Sequence, residues 1–170
     1  MSTTVHNRPG LPTRSGNPPL TRAHNPHQQL DQTAPTILQE TLWARMVTLD
    51  GVIVGRSSVS LADTRALHLR PADAGGPAEA FLAGTEFAHL HGSADGSLHM
   101  CLPTEVVAEA ITRGWAELHP MARQRFLPAT VVMVYGPRDT DELKITWRLV
   151  RASYQFARGA RGSDTQPVDN

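Results

Sequence analysis

The chain has 170 residues, a length typical of one domain, since domains usually have about 100–200 residues. Sixteen basic and sixteen acidic residues give a formal net charge of zero, which argues against electrostatic capture of nucleic acid or an anionic membrane. A single cysteine, Cys101, excludes an internal disulfide and a cysteine-based zinc knuckle. No stretch approaches the roughly 20 apolar residues of a membrane-spanning helix, and the polar N-terminus lacks the apolar core of a signal peptide. We therefore expect a soluble, cytoplasmic protein that binds neither nucleic acid nor a membrane.

Both ends of the chain are predicted to be disordered. Residues 1–35 contain six of the thirteen prolines and show no apolar periodicity, so they have too little apolar surface to offset the entropy lost on ordering. Residues 160–170 are polar and are predicted to be loose as well. The folded domain is then expected to cover residues 36–159, and a protein that begins at Pro35 is expected to fold.

The predicted elements follow from apolar spacing and from residues that start or end helices. Asp139, followed three residues later by Glu142, has the form of a helix N-cap, and Gly159 marks the end of that helix. In chain order the prediction is a helix at 37–48, strands at 52–54, 59–61 and 66–69, a loop at 71–77, extended segments at 81–91 and 97–102, a helix at 105–113, a strand at 131–135 and a last helix before Gly159. This order predicts a single α+β domain, with a mostly antiparallel sheet and helices packed on one face.

Three histidines form the most informative pattern. Side chains alternate between the two faces of a strand, so His89 and His91 share a face, and Glu86 lies on the opposite face unless a bulge intervenes. Two glycines after His91 predict a turn, and a symmetric turn places His89 opposite His99. Directly paired residues have Cβ atoms about 5 Å apart. We therefore expect three imidazoles to converge on one face of the sheet, with Asp95 at the turn.

Such a cluster fits two kinds of chemistry. A mononuclear metal site is one, because neutral imidazoles bind zinc, iron or copper and three of them leave a position open for substrate. Metal-free acid–base catalysis is the other, because close imidazoles share a proton and titrate near neutral pH. His119 is a candidate fourth member, although nothing in the sequence fixes its position. By itself Glu86 is expected to form a hydrogen bond or a salt bridge, and Cys101 to be a buried apolar residue.

Two further segments have both a structural and a functional interpretation. Trp115, which follows a glycine, typically packs against a helix end, and the segment from Tyr135 to Asp139 is typical of a strand-to-helix turn. The functional alternative for Arg138 is contact with an anion near a helix N-terminus. No pattern indicates a function for the remaining histidines, His6, His24, His27 and His68.

Several of these residues, in this order, resemble the luciferase-like domain of fungal bioluminescence and of its bacterial relatives. The motifs are Glu86-Phe-Ala-His89-Leu-His91, Asp95, Leu98-His99, Gly114-Trp115, His119-Pro120 and Tyr135-Gly-Pro-Arg138. The resemblance to the fungal enzymes covers about residues 86–156, and that to the bacterial relatives about residues 36–159. For the fungal branch it implies an oxidative reaction in which 3-hydroxyhispidin reacts with molecular oxygen, loses carbon dioxide and emits light.

The resemblance also implies roles for individual residues of this chain. It implies catalytic roles for Glu86, His89, His91, Asp95, His99 and His119, and substrate contacts for Trp115, Tyr135 and Arg138. Molecular oxygen is the implied co-substrate, and a mononuclear metal at His89, His91 and His99 is the cofactor that the residues themselves suggest. The chain departs from the fungal pattern in its polar N-terminal segment, where the fungal proteins have a membrane anchor, and in the 92–96 loop, which lacks an aromatic residue and an extra histidine. The resemblance therefore does not extend to the identity of the substrate, and we expect no light emission.

Two functions remain as alternatives. The first is an oxidative enzyme in which a histidine deprotonates a small enolic or aromatic, pyrone-like substrate, the carbanion reduces oxygen, and Arg138 or another histidine holds the developing oxyanion. The second is a binding module of the same fold that holds a small molecule or a metal without turnover. An enzyme needs an open cavity of roughly a few hundred cubic ångströms beside the histidines, whereas a structural cluster would be closed and fully hydrogen-bonded.

Overall fold

The computed structural model describes residues 10–159. The predicted tail at 160–170 and the first nine residues of the predicted tail at 1–35 lie outside this range. The elements are α1 (Thr36–Met46), β1 (Val52–Arg56), β2 (Arg65–Leu69), β3 (Glu86–Leu90), β4 (Leu98–Cys101), α2 (Thr104–Thr112), β5 (Ala116–Leu118), α3 (Pro120–Arg123), β6 (Val131–Val134) and α4 (Thr140–Arg158), with short 3₁₀ helices at Pro71–Asp73 and Ala78–Ala80. None of the helices between residues 10 and 159 combines the length and apolarity needed to cross a membrane.

The six strands form one antiparallel sheet in the order β1-β2-β3-β4-β6-β5. Helices α1, α2 and α4 contribute buried side chains to the same apolar core as one face of this sheet, and α4 crosses β3 and β4. Asp139 caps α4 by accepting the backbone N–H groups of Asp141 and Glu142, and Gly159 ends the helix with a φ of 76°. The structure thus confirms the predicted α+β fold, with a mostly antiparallel sheet and helices on one face.

Some predicted elements differ from those observed. Val59 and Leu61 do not form a strand; both are exposed and lie in the loop between β1 and β2. Of the extended segment predicted at 81–91, only residues 86–90 are a strand. Strand β5 and helix α3 were not predicted, because three- and four-residue elements are too short to show a period.

Residues 10–35, which belong to the predicted tail, contact the rest of the domain in the structure. Leu11 is buried in the core, the backbone N–H of Arg14 donates to the carbonyl of Arg113, and the indole N–H of Trp115 donates to the carbonyl of Pro12 at 2.6 Å. In the same segment, the side-chain Oε1 of Gln29 accepts a hydrogen bond from the backbone N–H of Gly136. It is held mainly by polar contacts with distant backbone groups, and such contacts leave no apolar pattern in the sequence.

Candidate functional site

The three histidines lie where the strand pattern predicts them. His89 pairs directly with His99 across β3 and β4, and the backbone N–H of His91 donates to the carbonyl of Ser97 just beyond the ladder. All three side chains therefore project from the face of the sheet opposite α4, and all three are buried. The predicted convergence of imidazoles on one face is confirmed.

A β-bulge turns Glu86 to the same face. In the pairing of β2 with β3, Leu67 opposes Ala88 whereas the next residue, His68, opposes Glu86, so that Phe87 is an extra residue. Carboxylate Oε1 of Glu86 accepts a hydrogen bond from Nδ1 of His89 at 2.7 Å. Glu86 therefore lies on the same face as His89, and not on the opposite face as expected for a strand without a bulge. The burial of Glu86 is complete, and its Oε2 has no hydrogen-bond partner among residues 10–159.

The turn between β3 and β4 supplies a second carboxylate. Asp95 Oδ2 accepts a hydrogen bond from Nδ1 of His91 at 2.8 Å, while its Oδ1 accepts the backbone N–H and the hydroxyl of Ser97. Burial by itself would raise the pKa of Asp95, but the hydrogen bonds from His91 and Ser97 outweigh it and the pKa is lowered. The carboxylate is therefore ionised beside the His91 ring at neutral pH.

A third carboxylate reaches the cluster through His27, a residue that the sequence did not single out. Nε2 of His27 donates to Oε1 of Glu117 at 2.7 Å, and Nδ1 of His27 lies 3.0 Å from Nε2 of His99. Glu117 lies on β5 and also accepts hydrogen bonds from the hydroxyls of Thr21 and Tyr135. Burial opposes ionisation of Glu117, but these hydrogen bonds, with that of His27 the strongest, lower its pKa. No sequence signal could have found His27, because it lies in irregular backbone where spacing carries no information.

His99 is the centre of the cluster. Its Nδ1 lies 3.1 Å from Nε2 of both His89 and His91. Burial, followed by the neighbouring histidines, lowers the pKa of His99 well below its usual value. Burial likewise lowers the pKa of His89, against the opposing effect of Glu86. The rings of His89 and His99 are therefore neutral at physiological pH.

His119 completes the group from the N-terminus of α3. Its ring centroid lies 4.7 Å from that of His99, and its Nδ1 accepts the backbone N–H of Met121 at 3.1 Å. Burial, with the nearby histidines, lowers the pKa of His119 to about 4. A neutral ring that accepts through Nδ1 carries its proton on Nε2, so His119 offers an N–H donor on its far side.

The imidazoles form one wall of a cavity of about 730 Å³. Five histidines line this cavity. His89, His91 and His99 come from the β3–β4 hairpin, His119 from the N-terminus of α3, and His27 from the N-terminal segment. The opposite walls are largely apolar and include Val59, Leu61, Phe81, Leu82, Met121, Leu127, Pro128 and Val131. The imidazole wall, which we call the histidine floor, is therefore polar, and the rest of the cavity is largely apolar.

Three predicted substrate contacts are placed elsewhere. Trp115 is buried in the main core and donates to Pro12, Tyr135 donates to Glu117, and Arg138 pairs with Glu142. None of the three lines the cavity. Their polar groups are hydrogen-bonded to protein atoms, and the partner of Tyr135, Glu117, is also the partner of His27.

Among residues 10–159, two sets of three histidines have nitrogens close enough to bind a metal together. One set is His89, His91 and His99, as predicted, and the other is His27, His99 and His119; within each set the nitrogens lie within 4.8 Å of one another. His99 belongs to both sets. The predicted catalytic carboxylates Glu86 and Asp95 belong to neither, and each instead accepts a hydrogen bond from Nδ1 of one of these histidines.

Comparison with known proteins relates the chain to fungal luciferases. Residues 84–153 match the family model of the luciferase domain. The luciferase of Armillaria gallica is 27% identical over 163 residues, which cover 87% of this chain and 61% of the relative. The luciferase of Neonothopanus nambi is 31% identical over 73 residues, 42% of this chain and 27% of the relative. No solved structure matches the chain.

The matched region contains most of the site described above. It includes strands β3 to β6, all of the predicted histidines and Glu117, whereas His27 lies before it. The chain spans about three fifths of the length of the Armillaria gallica relative and about a quarter of that of the other. The resemblance seen in the motifs is confirmed: residues 84–153 match the luciferase-domain model, and the chain is similar to a fungal luciferase over most of its length.

Proposed function

We propose that the cavity is the active site of an enzyme that oxidises a small enolic or hydroxylated aromatic, pyrone-like molecule with molecular oxygen. The observation that carries this proposal is the open cavity whose floor consists of close imidazoles, of which His89, His99 and His119 are neutral. A cluster that served only to stabilise the fold would have no reason to face such a space. The relationship to the fungal luciferases supports the choice of an oxidation.

The size and lining of the cavity suit a flat, mostly apolar substrate. Its volume of about 730 Å³ lies within the range of about 300–1,000 Å³ that is usual for small-molecule sites. Apolar walls formed by residues such as Phe81, Leu127 and Val131 favour a ring system and also admit oxygen, which is itself apolar. Polar atoms of such a substrate would then face the histidines.

The histidine floor can accept the enol proton. A neutral imidazole removes the proton from the enol oxygen, and the resulting enolate carbon gives its electron pair to oxygen. A carbon–oxygen bond forms, the enolate becomes a carbonyl, and the reduced oxygen takes up the proton as a hydroperoxide. Both oxygen atoms enter the product, so the step needs no further reductant.

His119 is suited to hold the negative charge that develops on the substrate. Its Nδ1 accepts from Met121, so its Nε2–H is the free donor, and the ring lines the cavity. A donor that is fixed in place before the reaction stabilises an oxyanion without reorganisation. Because the pKa of His119 is about 4, the ring acts as a neutral donor throughout the physiological range.

Oxygen uptake tests this proposal. We expect the purified protein to consume oxygen with hydroxylated pyrones or catechols, and products formed under labelled oxygen to contain both atoms. In the variant His119→Asn the amide oxygen can still accept from Met121, but the Nε2 donor is lost, and kcat should fall about 100-fold, as on loss of an oxyanion donor. His68→Gln is the matched control, because His68 lies on β2 outside the cavity lining and bonds to the carbonyl of Arg56.

The alternative of a non-catalytic binding module gives a different result. A protein that binds these pyrones with saturation, yet consumes no more oxygen than a blank with any of them, would be such a module. Wild-type kcat in His119→Asn would leave the reaction in place and remove His119 from it.

A further inference from the structure

The hydrogen bonds around the cluster determine which nitrogens carry protons. A carboxylate oxygen of Glu86, Asp95 or Glu117 lies 2.7–2.8 Å from one nitrogen of His89, His91 or His27, and a contact this short needs a hydrogen, which the imidazole nitrogen supplies. A neutral imidazole has one N–H, so the opposite nitrogen of each ring is bare. The bare nitrogens are Nε2 of His89, Nε2 of His91 and Nδ1 of His27.

His99 must then present its own bare nitrogen, Nδ1, to the bare nitrogens of His89 and His91. Its Nε2 lies 3.0 Å from the bare Nδ1 of His27, a distance at which one of the two atoms has to carry a hydrogen. With that hydrogen on Nε2, Nδ1 of His99 is bare as well, and it lies 3.1 Å from both bare nitrogens of His89 and His91. Three lone pairs therefore point at one another without a hydrogen between them, which is unfavourable unless a cation lies among them.

From this arrangement we propose that His89, His91 and His99 bind one divalent transition-metal ion through Nε2, Nε2 and Nδ1, and that His27 and Glu117 position His99 for it. The inference rests on the proposed function in so far as both concern the same cavity. Three imidazoles on a divalent ion, with one side facing a substrate cavity, are a ligand set of catalytic zinc and related metals. When bound, such an ion would supply a Lewis acid beside the substrate, which would promote loss of the enol proton in place of the imidazole lone pairs that it occupies.

The distances agree with this ligand set. Nitrogens bound tetrahedrally at about 2.0–2.1 Å from zinc are about 3.3 Å apart, and the two measured separations from Nδ1 of His99 are 3.1 Å. Each ligand also has the outer partner that metal-bound histidines usually have, a carboxylate behind the other ring nitrogen. For His89 and His91 the carboxylate is in direct contact, and for His99 it acts through His27.

The buried carboxylates around the cluster also favour a bound cation. Glu86 and Asp95 are nearly inaccessible to solvent, and among residues 10–159 neither forms an ion pair with a lysine or an arginine. Glu117 has an arginine, Arg123, at 3.6 Å, but that side chain is largely exposed. Buried carboxylates without a compensating positive charge are strongly unfavourable, and a divalent ion at the convergence point supplies that charge.

A proton satisfies the cluster less completely than a metal. If His27 were doubly protonated, it could donate to both Glu117 and His99, and Nδ1–H of His99 would then face His89 and His91 together. One hydrogen would be divided between two acceptors, and Glu86 and Asp95 would keep neutral partners. A divalent ion instead engages all three bare nitrogens.

The second set of three histidines does not offer three bare nitrogens. Nδ1 of His119 accepts the N–H of Met121, so its Nε2 carries a hydrogen, and the facing nitrogens of His27 and His99 share another. Two of its members therefore donate where a metal would need lone pairs. The metal belongs to the set that includes His89 and His91, not to the set that includes His119.

Metal binding by the full chain tests the proposal. Protein purified without a histidine tag and then stripped with a chelator is titrated with Co²⁺, followed by visible absorption, and with Zn²⁺, followed by calorimetry. We expect one equivalent of either ion per chain and a d–d spectrum typical of four- or five-coordinate cobalt. His91→Ala should lose at least about 100-fold in affinity, whereas His68→Gln and His119→Asn should bind as the wild type does.

The role of His27 is tested by a matched pair of variants. His27→Ala removes the acceptor for Nε2–H of His99 and should weaken metal binding by about 10–100-fold, the usual effect of losing an outer partner. His27→Asn places an amide oxygen near the position of Nδ1 and should restore most of the affinity. A purely structural role of His27 would not separate these two variants once both fold, as checked by circular dichroism.

Several results would overturn the proposal. They are absence of stoichiometric binding by the stripped wild-type protein, binding that His119→Asn abolishes and His91→Ala does not, and equal affinities for His27→Ala and His27→Asn. Should His91→Ala fail to fold, His89→Gln replaces it, with the same expected loss. Failure here is distinct from failure of the proposed function: oxygen uptake by a protein that binds no metal refutes only the metal, and a stoichiometric metal without oxygen uptake refutes only the oxidation.

Discussion

At the scale of single residues, the site depends on which groups stay neutral. His89, His99 and His119 have lowered pKa values because they are buried, whereas Asp95 and Glu117 have lowered pKa values because hydrogen bonds outweigh their burial. These three imidazoles are thus neutral, and these two carboxylates ionised, at physiological pH. This arrangement is the one in which the rings retain lone pairs for a proton or a metal.

The metal-free protein should lose stability as the pH falls below about 6.5. A histidine with a lowered pKa binds fewer protons in the folded state than in the unfolded state, so the free energy of unfolding falls as the pH drops below the unfolded value of about 6.5. For His119 this loss ends near its folded pKa of about 4. The carboxylates act in the same direction, since their contribution is lost as the pH falls through their lowered pKa values. Melting temperatures between pH 8 and pH 4 measure the effect.

The variant His119→Asn isolates one part of this dependence. It lacks the titrating ring but can still accept from Met121, so its melting temperature should fall less steeply than that of the wild type between pH 6.5 and pH 4. Parallel curves for the two proteins would show that His119 titrates normally in the folded state.

The residue scale also shows what the sequence can and cannot predict about the site. Alternation along β3 and the turn at Gly92–Gly96 were enough to predict the pairing of His89 with His99. The position of Glu86 could not be predicted, because the bulge at Phe87 depends on how β3 pairs with β2. His27 could not be predicted either, since only the folded structure brings irregular backbone into contact with His99.

At the scale of elements, the turn between β3 and β4 connects the core to the cluster. Gly96 has a φ of 69°, in the left-handed region, and a Cβ added there would lie 2.6 Å from Nε2 of Gln39. The side chain of Gln39 donates to the carbonyls of Ala34 and Ser93, which joins helix α1 to the turn. The turn that carries Asp95 is therefore fixed by both backbone conformation and packing.

Gly96→Ala should destabilise the protein more than a glycine substitution of the same backbone type elsewhere. We expect a loss of about 2–4 kcal/mol, from the left-handed conformation and from displacement of Gln39. Gly84 is the control, because it has a φ of 56° and nothing within 4 Å of an added Cβ, so Gly84→Ala carries the backbone cost alone, about 1 kcal/mol. Denaturant unfolding of both variants measures the difference, and equal losses would contradict the role of Gln39.

Helix and strand boundaries were predictable to the extent that they depend on local chemistry. Helix α4 begins after the Asp139 cap and ends at Gly159 as the sequence indicates. At α1, Thr36 and Gln39 have the spacing of a capping box, but Thr36 is the first helical residue, Pro35 precedes it, and Gln39 donates to the carbonyls of Ala34 and Ser93 instead. Local propensity was outweighed there by contacts with the distant β3–β4 turn.

Trp115 joins the N-terminal segment to the core, and its loss should loosen that segment. Trp115→Phe keeps the buried ring but removes the donor to the carbonyl of Pro12, and we expect a loss of about 1–2 kcal/mol. Limited proteolysis should then cleave the segment between residues 10 and 35 faster than in the wild type. Unchanged cleavage would show that other contacts of the segment are sufficient.

At the scale of the whole molecule, residues 10–35 contact the domain at several separate places. It places Leu11 in the core, Gln29 on the backbone of Gly136 and His27 beside His99. The α+β architecture was predictable because alternating strands and capped helices carry local signals. The extent of the domain was not, because proline-rich backbone held by dispersed hydrogen bonds has the same composition as a disordered tail.

A protein that begins at Pro35 should therefore be impaired, contrary to the expectation from composition. Its melting temperature should fall by several degrees, since it loses Leu11 and exposes Trp115, and it should bind metal at least as weakly as His27→Ala does. The variant His27→Asn of the whole chain separates the loss of packing from the loss of the contact with His99, because it retains the packing of residues 10–34. A truncated protein with wild-type melting and metal affinity would restore the shorter domain boundary.

The contact between His27 and Glu117 also has a consequence for the order of events during synthesis. The two residues are 90 positions apart in the chain, so His27 leaves the ribosome several seconds before its partner, at about 5–20 residues per second. Until β5 emerges, the histidines of the β3–β4 hairpin have no fixed neighbour on the His99 side. The nascent chain therefore passes through a period in which His27 and the histidines of the hairpin have been made, but Glu117 and His119 have not.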